Sequence, residues 1–132
     1  MSAQKAEDKD LNLSSPELKL LQEEDSDIVT VKQWLLKGVK PKQKDIGGES
    51  LVVKSLLAQY ERLVCKDDIL YRKWDDFELK TTKLQAIIPR SSRRTVLEYC
   101  HDNRTSGHLG VRKTLSKIRQ SYHWPGLQRD TR

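Results

Sequence analysis

Between His101 and Gly126 the chain reads HDNRTSGHLGVRKTLSKIRQSYHWPG, and this stretch constrains the fold more than any other. A histidine closes one helical pattern and a break at Gly107 follows. A second histidine leads into a basic helix, which Trp124-Pro125-Gly126 stops. A third helix is expected from Pro125, because proline suits a first helical turn. Two histidines at adjoining helix ends are either half of a tetrahedral metal site, which needs four ligands to close, or a solvated, helix-capping pair. His123, next to Trp124, reads as a surface or stacking residue and not as a third ligand.

Charge separates the chain into unlike parts. Residues 1–49 carry 8 basic and 10 acidic side chains, and residues 50–88 carry 7 and 6. Residues 89–132 carry 10 and 3, so the formal net charge of +6 is concentrated in the last third. Such asymmetry is the footprint of a surface that meets phosphate. With 36% hydrophobic and 33% charged residues in 132, the chain has material for one modest core or for a small domain with a loose end. Cys65 and Cys100 stand alone, 35 positions apart, which fits reduced thiols better than a disulfide framework. No apolar run is long enough to span a membrane and no signal-peptide core opens the chain, so a nuclear or cytoplasmic setting is expected.

Upstream of the histidines the pattern is mixed. Residues 1–14 lack periodicity, and Ser14 to Glu17 has capping-box spacing for a short helix. A firmer helix is predicted from about Asp27 to Lys37, with Ile28, Val31 and Leu35 at helical spacing, Asp27 as cap and Gly38 as stop. Ser50 caps a further helix whose Val53, Leu56, Leu57 and Tyr60 share a face. Leu63-Val64-Cys65 and Ile69-Leu70-Tyr71 flank a hairpin turn at Lys66-Asp67-Asp68, and Leu84 to Ile88 supplies a third strand ended by Pro89. Ser91 or Ser92 caps the next helix, in which Val96 and Cys100 are paired at i, i+4. In the basic helix Val111, Leu115, Ile118 and Tyr122 form the apolar stripe, with Arg112, Lys113, Lys117 and Arg119 turned outward.

No catalytic constellation can be assembled. Asp67, Asp68, Asp75, Asp76 and Glu78 cluster about a turn and read as a solvated loop, not a metal-catalysis site. Cys100 and His101 are adjacent on a helix, about 100° apart around it, so they do not face each other as nucleophile and base. Tyr122, Trp124 and Leu127 read as packing residues.

The combination of His101-Asp102, Gly107-His108-Leu109-Gly110, Lys113-Thr114, Ile118 and Tyr122-His123-Trp124-Pro125-Gly126-Leu127 resembles the zinc-binding N-terminal domain of Ty3/Gypsy-type retrotransposon integrases. Asp67 to Arg72, Ile88-Pro89 and Arg93-Arg94 extend the likeness upstream. The resemblance implies a three-helix, helix-turn-helix-like bundle with a His-His-Cys-Cys zinc site. His101 and His108 match the two histidine ligands, and the cysteine pair and the catalytic core are expected to fall beyond Arg132. His123 stands where the family commonly has tyrosine, and Asp68 where it commonly has glycine.

The expectation is therefore an α+β chain, mostly helical: a flexible acidic leader over 1–27, a helical and short antiparallel-sheet extension over 28–88, and an incomplete zinc-binding bundle over 89–132. The resemblance implies a non-catalytic integrase fragment that binds nucleic acid and multimerises in DNA integration. Its metal residues would be His101 and His108, with weak zinc binding. Its nucleic-acid-binding residues would be Arg93, Arg104, Arg112, Lys113, Lys117 and Arg119. DNA and an integrase-like protein, or a second copy, are the expected partners, with no membrane and no small-molecule substrate. The alternatives are a protein-interaction fragment using the apolar faces of the helices at 28–37 and 51–62, and a transposon remnant without selected activity.

Overall fold

The computed structural model describes the backbone of residues 13–101 and 108–131, and the side chains of residues 13–100 and 113–131. Helices α1 (Ser15–Glu23), α2 (Ser26–Lys37) and α3 (Leu51–Leu57) precede strands β1 (Leu63–Lys66), β2 (Ile69–Asp76) and β3 (Thr81–Ile87). Helices α4 (Arg93–His101) and α5 (His108–Arg119), strand β4 (Tyr122–His123) and helix α6 (Leu127–Asp130) follow. The fold is α+β, as expected. Its sheet has the order β1-β2-β3-β4, with the first three strands antiparallel and β4 parallel to β3.

Local chemistry explains most element ends. Ser14 closes a capping box with Glu17 at the start of α1. The cap of α2 is Asp25 rather than Asp27: its Oδ1 accepts from the backbone N–H groups of Asp27 and Ile28. Gly38 ends α2 at φ +74°, a left-handed stop that glycine adopts without steric cost. Ser50 caps α3 by accepting from Val53 N–H, and Asp27 instead accepts from the Ser50 hydroxyl at 2.8 Å. Strands β1 and β2 are joined by Asp67-Asp68, both at positive φ, as a two-residue hairpin with a matched twist requires.

Alternation along the strands divides the core into two layers. Ile69, Ala86 and Ile88 pack on one face with Leu18, Val96, Cys100, Ile118, Tyr122, Trp124 and Leu127. Leu70 and Ile87 point to the other face, where Ile28, Val31, Val53, Leu56 and Leu57 cover them. The sheet is thus sandwiched between α2–α3 and a layer built from α1, α4, α5 and α6.

Three expectations change. The leader expected to be flexible through residue 27 is folded from residue 13: Leu18 is buried in the first layer, and the fully buried Gln22 holds the backbone of two strands. Leu18 and Gln22 lie four positions apart on one helical face, so the acidic residues around them remain outside. The apolar faces of the helices at 28–37 and 51–62 are consumed by the second layer, so they are not the interaction surface expected of them. The basic helix ends at Arg119, and Tyr122-His123 runs as a strand beside β3. Ser121 and His123 carbonyls accept from Ala86 and Ile88 N–H groups at 2.8 and 3.0 Å. The boundary expected near residue 88 therefore falls inside a shared sheet and a shared core.

Candidate functional site

Helices α4 and α5 pack on one another, and the histidine positions sit at their adjoining ends: His101 is the last residue of α4 and His108 the first of α5. Their side chains, together with Arg104 and the side chain of Arg112, lie outside the described residues. Among the described residues no group of three or more His, Cys, Asp or Glu side chains converges on a point that would hold a metal ion. Cys100 does not fit a zinc ligand. It is buried in the first layer, and burial pushes its thiol pKa up, away from the thiolate that zinc needs.

Of the expected basic set, the described members do not share one surface. Lys113 and Lys117 are exposed and four positions apart, so they share one row of α5, while Thr114 and Ile118 on the inner side are buried. The Lys117 ammonium stands 5.6 Å from the Tyr99 ring centroid. Arg119 lies about 160° around the helix from Lys117 and turns toward the end of the sheet. Arg93, at the start of α4, is half-buried with its Nε enclosed and unpartnered; burial is the main cause that lowers its pKa.

A group of residues not singled out as functional from sequence gathers where β4 meets the sheet. Arg72 of β2 donates from Nε to Gln59 Oε1 at 2.8 Å. Its Nη1 lies 2.9 Å from Gln85 Oε1 and 3.2 Å from His123 Nδ1. Gln85 is fully buried and donates onward to the Arg119 carbonyl at 2.8 Å. His123 is part-buried, with its Nε2 enclosed, rather than a freely exposed surface residue. Desolvation, followed by the charges of Arg72, Arg119 and Arg93, pushes its pKa down to about 3, so the ring is neutral. Nothing in the sequence pairs Arg72 with His123, 51 positions away; only the parallel strand β4 does. Trp124, fully buried with Nε1 donating to Asp130 Oδ2 at 2.9 Å, and Leu127 are packing residues, as expected.

Helix α4, helix α5 with its Lys113–Lys117 row, and the Trp124-Pro125-Gly126 stop coincide with a defined protein class: residues 88–132 match the family model of the integrase zinc binding domain. The resemblance read from His101 to Leu127 thus holds over the C-terminal third of the chain. The chain is also similar to Gypsy retrotransposon integrase-like protein 1 of Macaca fascicularis, at 28% identity over 72 residues. The match covers 54% of this chain and 13% of that relative's length. No solved structure matches. Among the described residues, no helix is long and apolar enough to cross a membrane.

Proposed function

We propose that this chain is an integrase-derived, non-catalytic module that binds duplex nucleic acid and assembles with an integrase-like protein or with itself. The supporting observation is the exposed row of Lys113 and Lys117 on α5, within a segment that carries 10 basic residues against 3 acidic ones. In this reading α4, α5 and α6 are the helices of a helix-turn-helix-like bundle, and the α5 row faces phosphates of the duplex. Arg104 and Arg112 are proposed as further phosphate contacts on their basic charge alone, while the half-buried Arg93 contributes only at the margin. Residues 89–132 serve as the nucleic-acid end of the molecule and the preceding helices and strands as its scaffold.

Titrating the full chain with a short duplex at several salt concentrations tests the reading. Affinity is expected to fall with salt by about 0.9 log units per log unit for each phosphate neutralised. The double variant Lys113→Glu/Lys117→Glu is expected to flatten that slope and weaken binding at least tenfold without changing the melting temperature by more than a degree or two. Salt-indifferent binding, or full binding by the double variant, excludes the electrostatic mechanism.

Zinc is proposed to bind weakly through His101 and His108. Two imidazoles supply only half of a closed tetrahedral site, so the metal contributes little to folding. A chelator is expected to leave the far-ultraviolet circular dichroism nearly unchanged; a cooperative loss of helix on chelation would show a complete structural site instead.

A further inference from the structure

The β4 edge of the sheet concentrates hydrogen-bond donors and positive charge without matching acceptors. Arg72 spends its described hydrogen bonds on two neutral amides and an imidazole. A guanidinium cannot accept, so His123 Nδ1 is the acceptor, and the neutral ring carries its proton on Nε2. That N–H is enclosed and has no partner, and neither has the nearby Arg93 Nε. Among the described residues no carboxylate stands within ion-pair distance of Arg72, Arg93 or Arg119. Like charges held together in a partly desolvated place destabilise a fold unless something compensates them.

An open pocket of about 270 Å³ lies against this cluster. Arg72, Arg119, Arg129, His123, Trp74 and Gln128 line it, and no carboxylate does. No residue of α2 or α3 reaches it; the end of α5 and the α6 residues Gln128 and Arg129 wall it instead. The backbone is shaped to suit: Gly126 adopts φ +90°, and a Cβ there would stand 2.6 Å from the Arg129 guanidinium. Arg129 alone has an acidic partner, with Nε 3.2 Å from Asp130 Oδ1.

We infer that this pocket is a binding site for a phosphate oxyanion, held by the guanidinium groups of Arg72, Arg119 and Arg129. Planar guanidinium forks match the paired oxygens of a phosphate; Arg119 and Arg129 keep such an edge free, Arg72 adds its Nη2 and its charge, and the three together suit a group bearing one to two negative charges. The phosphate comes either from a nucleic-acid backbone or from a free phosphate ion. The site lies away from the Lys113–Lys117 row, and its existence does not depend on that row binding DNA.

The test uses the full chain and inorganic phosphate, exchanged against chloride at constant ionic strength. Binding is read by the fluorescence of the tryptophans beside the pocket and by the melting temperature. Saturable binding with a rising melting temperature is expected. Arg119→Gln, whose side chain gives up no described hydrogen bond, is expected to weaken phosphate binding at least tenfold while melting no lower than the parent in chloride. Arg129→Gln, which removes the other guanidinium with a free edge, should weaken it by a similar factor. The Lys113→Glu/Lys117→Glu chain should still bind phosphate, which separates failure of this site from failure of the duplex-binding surface. Displacement of phosphate by a short duplex, itself weakened by Arg119→Gln, assigns the phosphate to a nucleic-acid backbone; no displacement assigns it to the free ion. An effect no greater than that of chloride, or one retained in full by Arg119→Gln, overturns the inference.

Discussion

Gln22 shows how much one polar side chain can fix. Its Oε1 accepts from Leu70 N–H at 2.8 Å, and its Nε2 donates to the carbonyls of Leu70 and Ile87 at 3.1 and 2.8 Å. The β2–β3 ladder stops at Tyr71 and Ala86, so the amide replaces the next rung. Gln22→Leu would fill similar space but strand a buried N–H and two buried carbonyls, at about 1–3 kcal/mol for each unsatisfied group. A loss of about 3–5 kcal/mol is expected in denaturant unfolding, and a loss below 1 kcal/mol would show that water replaces the amide. At the other end of the sheet His123 ties stability to pH. Its folded-state pKa of about 3 lies below the ordinary 6.5, so the unfolded chain takes up the proton first as pH falls. The neutral ring's stabilisation is complete above pH 6.5, declines as pH drops through that value, and is fully lost below about 3. Between pH 6.5 and 4.5 the parent should lose about 2–3 kcal/mol relative to His123→Gln. Parallel pH profiles of the two chains, in which titrating carboxylates cancel, would remove the assignment.

At the scale of elements, the β1–β2 turn places Asp67 at φ 54° and Asp68 at φ 66°. Aspartate tolerates the left-handed region better than most residues, but glycine adopts it freely. Asp68→Gly is expected to stabilise the chain by about 0.5–1 kcal/mol despite losing the exposed Lys19–Asp68 pair, since such pairs contribute little. A lower melting temperature for this variant would mean that the ion pair, or the Asp68 side chain, matters more than the backbone strain. The hairpin itself was legible because apolar residues flank a short polar break. So were the helix from Asp27 to Lys37 and the packing roles of Val96, Cys100, Trp124 and Leu127, which periodicity and stop signals mark. The β4 strand was not. Tyr122 continues the helical stripe of Leu115 and Ile118, and only its distant partner Ala86 pulls it into an extended pairing. The Arg72–Gln85–His123 cluster was hidden for the same reason, since it exists only once β3 and β4 lie side by side. Gln22 was missed because a glutamine among acidic residues carries no burial signal of its own.

For the whole molecule, the consequence is that the N-terminal helices, the sheet and the integrase-like segment share one scaffold. The first layer joins Leu18, Ile69 and Ala86 from the first part of the chain to Val96, Ile118 and Trp124 from the last. The second layer shares strands β2 and β3 with it through Leu70 and Ile87. Neither layer can open without exposing the apolar side chains that β2 and β3 present to it, so the two are expected to unfold together. Trp124 is fully buried in the first layer, and Trp34 packs against the second, which gives each a reporter. In a Trp74→Phe background, variants retaining only Trp34 or only Trp124 should show unfolding midpoints, each referred to the circular-dichroism midpoint of the same variant, that coincide within error. If the Trp124 signal instead changes well before the Trp34 signal, residues 89–131 form a separately folding unit that merely docks its strand on a pre-formed sheet.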